Sequence, residues 1–171
     1  MSGWGQTAGS AGMCHNKIHY ITGGTELLDA IGPLWEKLNA QHAARSPHFG
    51  EDYTAHTYAW RKAGLLKKDG DLRVELAQDA EIGRDIGYCV SVVTAEAGVI
   101  ESIFIEADYR GQGIGDALMR HALAWMDEYD VPMKRLLVAV GNEQALGFYA
   151  RYGFQPQHIV LQQGRGEGRT L

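Results

Sequence analysis

The sequence predicts an α/β fold in a single domain, and three stretches carry that expectation. Residues 99–106 read as a strand that stops at a loop of alternating glycines, with a helix beginning at once. From residue 114 to 129, Ile114, Leu118, Ala122, Trp125 and Met126 fall on one helical stripe. Residues 134–140 then form a short apolar run suited to a buried strand.

The remaining elements follow along the chain. Residues 1–12 are small and polar around a lone Trp4 and read as a flexible extension before a domain at 13–163. Residues 17–22 predict a first strand. A helix then starts near Thr25 and carries Leu27, Leu28, Ile31, Leu34, Trp35 and Leu38 on a regular apolar face. Pro33 inside that run predicts a kink or a break. After a loop at 45–50, a second helix is expected over 52–66. Strands are expected at 72–76 and 86–93, with a turn at 95–98 leading into the central strand. Pro132 ends the glycine-loop helix, residues 142–152 form a short helix capped by Gly153, and 155–163 read as a last strand. Residues 164–171 look like a loose tail.

Composition narrows the function classes. A chain of 171 residues that is 45% hydrophobic can bury one full core. The net charge of −5, without a long basic run, argues against nucleic acid as a partner and for a cationic one such as an amine. Two cysteines, Cys14 and Cys89, make no disulfide framework and fit a reducing cytoplasm. No apolar stretch approaches a membrane span, and no leader pattern opens the chain.

Arg110, Gly111, Gln112, Gly113, Ile114 and Gly115 carry the chemistry. Glycines at 111, 113 and 115 allow close backbone approach, and the helix that begins there offers free N–H groups at its positive end, which suits a phosphate. A Walker loop needs a lysine after the last glycine, and none follows Gly115. A dinucleotide fingerprint would need glycine at 116, where Asp116 stands, and would lie early in the chain. A glycine-rich turn before an ordinary helix is the plain alternative. The remaining pattern, Arg-x-x-Gly-x-Gly, is followed at the right distance by Asn-x-x-Ala-x-x-x-Tyr-x-x-x-Gly-Phe, from Asn142 to Phe154. Together these resemble the two signatures of the GNAT (Gcn5-related N-acetyltransferase) superfamily, over residues 86–163. The segment Ile100-Glu101-Ser102-Ile103-Phe104-Ile105 is locally similar to polyamine-type members.

The resemblance implies an acyl-CoA N-acyltransferase fold, with a mixed, mostly antiparallel twisted sheet of some six or seven strands flanked by helices. It implies acetyl-CoA as co-substrate, held in a splay between the strands at 99–106 and 134–140. Ile103, Phe104 and Ile105 would run beside the pantetheine arm. Arg110, Gly111, Gln112, Gly113, Ile114, Gly115 and Asp116 would wrap the pyrophosphate, and Asn142 would add a contact. The acetyl group would pass directly to a primary amine of a small molecule or a peptide. Members commonly pair as dimers, so a homodimer is the assembly the resemblance suggests.

Tyr149 is the candidate general acid, a phenol able to protonate a departing thiolate whose conjugate acid titrates near about 8.5. A half-buried aromatic without chemistry is the plain alternative. Glu101 is the candidate base, sharing a face with Ile103 and Ile105 by strand alternation, and hence in partly apolar surroundings. A solvated strand-end carboxylate is its alternative. Glu106, at the strand exit, is a weaker choice. Seven histidines form no metal spacing, and no metal is called for. His42 and His48 flank the expected acceptor loop, His121 is expected in solvent, and Cys89 is expected as a buried inert thiol. Two other functions stay open: a sensor domain that binds acyl-CoA without turnover, and transfer of a longer acyl chain.

Overall fold

The five strands of the sheet pair in chain order, Ile18–Gly23 (β1), Asp71–Asp79 (β2), Arg84–Val93 (β3), Gly98–Ile105 (β4) and Lys134–Leu136 (β5). This computed structural model describes residues 17–163. The extension expected at 1–12 and the tail expected at 164–171 lie outside the described residues, as do Cys14 and His15. The first three pairings are antiparallel, and β4 runs parallel to β5. The sheet is therefore mixed and mostly antiparallel, with five strands among the described residues where six or seven were expected.

Helices cover both faces. On one lie Leu28–Arg45 (α1), Gly50–Ala55 (α2) and Tyr58–Leu66 (α3), and on the other lies Ile114–Met126 (α4), followed by the short Leu146–Ala150 (α5). The split follows from strand alternation as reset by two β-bulges, one in β3 at Ile86 and one in β4 at Glu101, where the residues beyond the bulge change faces. Val74, Leu76, Tyr88, Val90 and Phe104 point to a core with Leu28, Ile31, Leu34 and Leu65. Ala77, Ile86, Cys89 and Ile100 point to a second core with Leu118, Met119, Ala122 and Met126. α1 accommodates Pro33 in its second turn without interruption. Gly32 lets the ring of Tyr58 lie on α1, since a Cβ there would stand 3.0 Å from the Tyr58 ring.

Three expected elements differ. The helix expected at 52–66 is two helices, α2 and α3. Asn39 of α1 donates to the Tyr53 carbonyl at 2.6 Å, ending α2, and the Thr57 side chain caps α3 by accepting from Trp60 N at 3.2 Å. The strand expected at 134–140 stops at Leu136, because its ladder with β4 ends at the Ile100–Leu136 pair. Residues 155–163 form no strand. With β5 so short the apolar alternation there finds no ladder, leaving Ile159, Val160 and Leu161 exposed. Among the described residues no helix is long and apolar enough to cross a membrane.

Candidate active site

The site is organised by one irregularity in β4. Val90 of β3 faces Ser102 and the next residue, Ser91, faces Ile100, so Glu101 is the extra residue of a β-bulge. The parallel ladder to β5 stops at Ile100, immediately before it. Beyond that point β4 continues to Ile105 while residues 137–141 leave the sheet, with Leu137 90% exposed. The ladder between the two strands ends there, and the β5-facing edge of β4 from Glu101 onward is left without a strand partner among the described residues. An extended ligand arm can take up such an edge.

β4 leads through a single 3-10 turn, Ala107–Tyr109, into the glycine loop. The turn is anchored by the buried Tyr109, whose hydroxyl donates to Asp79 at 2.7 Å. That bond, before burial, sets both titrations: it pushes the Tyr109 phenol up and holds Asp79 below the usual carboxylate range. Gly111 and Gly113 then adopt φ of +77° and +80°, left-handed conformations that glycine takes without strain. Gly113 is the N-cap of α4, and no side chain caps the helix. The first-turn N–H groups thus remain available at the positive end of a 13-residue helix. Gly115 packs where a Cβ would stand 3.0 Å from Ile105 Cδ1, which keeps the helix start against the end of β4. Free N–H groups, open space at Gly111 and Gly113 and an unpaired strand edge fit the pyrophosphate and arm of a coenzyme A thioester.

The other expected cofactor residues are engaged within the protein. Arg110 donates to the Ile105 carbonyl at 2.9 Å and to Gln41 Oε1 at 3.2 Å, with its guanidinium 5.7 Å from the Phe104 ring centroid. Gln112 donates to the Asp108 carbonyl at 3.1 Å. Asp116 accepts from the Tyr152 hydroxyl and pairs with Arg151 at 3.2 Å. The Tyr152 bond, ahead of the Arg151 charge, holds the Asp116 carboxyl below its usual range. Asn142 accepts from Arg45 Nη1 at 2.8 Å, which ties its loop to the end of α1.

The two candidate catalytic side chains stand on opposite faces of β4. Tyr149 packs on the α4 side against the core of Cys89 and Ile114, with Ile103 and Ile105 against the same core. Its ring lies 5.3 Å from that of Phe148, and its hydroxyl has no hydrogen-bond partner among the described residues. Burial pushes the phenol up to about 12, so it carries its proton throughout the neutral range. Glu101 corrects the alternation argument. The bulge turns it away from the face of Ile103 and Ile105 to the α3 side, where Arg61 binds it at 3.1 Å and Lys68 at 2.7 Å. Its surroundings are cationic rather than apolar. Glu106 is likewise ion-paired, to Lys37 and, at 3.5 Å, to Arg84.

Cys89 is a free, fully buried thiol pushed up to about 12 by desolvation, in keeping with an inert role. His42 lies 5.4 Å from the Tyr53 ring, and burial, aided by Arg45, lowers its titration. His121, expected in solvent, is only partly so: it stacks edge-on to Tyr20 at 5.2 Å, with Nδ1 3.6 Å from Glu75. Among the described residues no group of three or more metal-ligating side chains comes together. Sequence reasoning missed Arg61, Lys68 and Arg45. Each meets its partner only through the tertiary fold, and no local pattern marks them.

The family model for the acetyltransferase (GNAT) domain matches residues 72–156. An uncharacterised N-acetyltransferase of Methanocaldococcus jannaschii is 30% identical over 105 residues, 59% of this chain and 46% of that protein. A candidate ribosomal protein bS18-alanine N-acetyltransferase of Bacillus subtilis is 36% identical over 95 residues, 56% of this chain and 54% of that protein. The chain thus spans about half the length of these two curated relatives. Among solved structures, a GCN5-related N-acetyltransferase from Ralstonia eutropha superposes with a TM-score of 0.68 at 17% identity, covering 88% of this chain and all of the other. At that identity the likeness establishes the fold.

Proposed function

We propose that the chain, whose residues 72–156 match the GNAT acetyltransferase domain, transfers the acetyl group of acetyl-CoA directly to a primary amine of a small molecule or a peptide. The observation that carries this reading is the conjunction of the uncapped α4 N-terminus behind Gly111 and Gly113 with the strand edge left open after Ile100. The first suits a pyrophosphate and the second suits a pantetheine arm. The Bacillus subtilis relative is named for alanine N-acetylation of ribosomal protein bS18, which makes a peptide α-amine one acceptor to test.

In this reading the amine nitrogen attacks the thioester carbonyl, an N–C bond forms and the C–S bond breaks. Glu101 takes the proton lost by the amine. Tyr149, protonated because its surroundings disfavour the phenolate, gives its proton to the departing thiolate. Asn142, held by Arg45, fixes the loop from which Tyr149 is presented. A general acid and a general base on opposite faces of one strand can serve the two sides of a carbonyl lying along its edge.

Isothermal titration with acetyl-CoA tests the reading, with Arg110→Ala and Gly113→Trp as controls. Micromolar binding weakened by both substitutions supports it and justifies an amine screen read by thiol release. No binding at millimolar acetyl-CoA overturns it.

A further inference from the structure

A cleft of about 610 Å³ opens directly beside the glycine loop, lined by Gly113, Asp116, Ala117, Arg120, His121 and Arg151. It lies along one flank of α4, since residues 113, 116, 117 and 120 share a helical face. Two guanidinium groups and an imidazole thus gather next to the uncapped N-terminus of the same helix, the positive end of its dipole.

The cations are not spent on internal pairs to the same degree. Arg151 is held in place, its guanidinium 5.1 Å from the Phe148 ring centroid and 3.2 Å from Asp116. Asp116 is the one carboxylate in the cleft, and its oxygens are already taken by Arg151 and the Tyr152 hydroxyl. His121 faces Glu75 at 3.6 Å. Arg120 is different: it is exposed and makes no hydrogen bond or ion pair among the described residues, although its charge is felt at Asp116. The cleft therefore holds one guanidinium without a partner and a second shared with a carboxylate, an arrangement suited to a compact anion.

We propose that this cleft recognises the 3′-phosphate on the ribose of coenzyme A, with Arg120 as the principal contact and Arg151 as the second. The inference rests on the acetyl-CoA reading above and adds a specificity subsite to it. A pyrophosphate seated on the α4 N-terminus must send the pantetheine one way, toward the open edge of β4, and the nucleoside the other. The cleft begins at Gly113, at the same helix terminus, and gathers positive charge beside the place the pyrophosphate would take. The volume is within the range that accommodates a small-molecule moiety. The subsite would let the protein select coenzyme A thioesters over carriers ending in pantetheine or lacking the 3′-phosphate.

The test compares coenzyme A with 3′-dephospho-coenzyme A by isothermal titration, on the wild-type chain and on Arg120→Ala and Arg151→Ala. The wild type should bind coenzyme A about tenfold or more tighter than the dephospho form, as expected for charge-assisted contacts to a phosphate. Arg120→Ala should bring the ratio most of the way to one while leaving dephospho-coenzyme A affinity unchanged. Arg151→Ala should lower the ratio less, because its charge is shared with Asp116. Arg120 has no structural partner to lose, so its variant keeps the fold. Equal affinity of the wild type for both ligands, or a ratio unmoved by Arg120→Ala, overturns the subsite and leaves the acetyl-CoA reading standing. Failure of both ligands to bind overturns the two together.

Discussion

Lys68 Nζ lies 2.7 Å from one carboxylate oxygen of Glu101, while Arg61 binds the other at 3.1 Å. Lys68 is the more exposed of the two cations and places a primary ammonium where an acceptor amine would have to approach Glu101. An acceptor must then displace it. Lys68→Ala should lower the KM for a primary-amine acceptor several-fold and leave kcat within about twofold. Steady-state kinetics with a saturating acyl donor measures this. An unchanged or raised KM would show that the amine does not reach Glu101 past Lys68. Glu101→Gln should instead reduce kcat by about 100-fold or more with the acetyl-CoA Kd nearly constant.

Tyr149 offers a cleaner substitution. Its hydroxyl has no hydrogen-bond partner among the described residues, so Tyr149→Phe orphans no buried group and should leave stability within about 0.5 kcal/mol. A loss of rate then reports chemistry. The expected loss in kcat is about 100-fold, with acetyl-CoA binding unchanged. Equal binding and no turnover in either form would mark a sensor domain. Full turnover by the phenylalanine variant would remove Tyr149 from the proton path.

Two glycines with positive φ should respond differently to alanine. At Gly113, φ is +80° and nothing stands within 4 Å of an added Cβ, so Gly113→Ala carries only the left-handed penalty of about 1–2 kcal/mol. At Gly141, φ is +89° and the Cβ would lie 2.4 Å from the Arg45 carbonyl oxygen. Gly141→Ala must also separate the Asn142 loop from the end of α1 and break the Arg45–Asn142 bond. Urea denaturation should rank it as the more destabilising change, and it should weaken acetyl-CoA binding as well. Equal midpoints would mean that the Asn142 loop is not anchored there.

The glycine loop and its helix were legible because their chemistry is local. Gly111, Gly113 and the stripe from Ile114 to Met126 depend on neighbours within a turn or two, and the structure has them where the pattern put them. Glu101 was misoriented because alternation assumes an unbroken pleat, and a bulge is a property of two strands rather than one. Strand ends failed for a related reason. Residues 137–140 and 155–163 have strand-like composition, but a strand exists only where a neighbour completes its ladder. The ion pairs on Glu101 and Asn142 join residues far apart in sequence, where no periodicity reaches.

Alkaline pH should expose the buried titratable groups of the α4-side core. Burial pushes the Cys89 thiol from its ordinary 9.0 up to about 12, and the Tyr149 phenol from 10.0 up to about 12. Both groups are neutral when protonated, so the unfolded chain releases their protons at lower pH than the native one. Above pH 9 the native state therefore binds more protons than the unfolded state, and stability falls as pH rises. The window runs from about pH 9 to 12, with Cys89 entering first and Tyr149 from pH 10. Each group contributes a slope of at most about 1.4 kcal/mol per pH unit. Denaturant unfolding at pH 8, 9 and 10 should give a flat first interval and a falling second one. Cys89→Ala lowers stability overall by losing core contacts, but it should make the fall between pH 9 and 10 shallower, leaving the part due to Tyr58, Tyr88, Tyr149 and Tyr152, whose phenols burial also pushes up. A slope there that the substitution leaves unchanged would assign it wholly to those phenols and show that the Cys89 thiol ionises as readily in the folded chain as in the unfolded one.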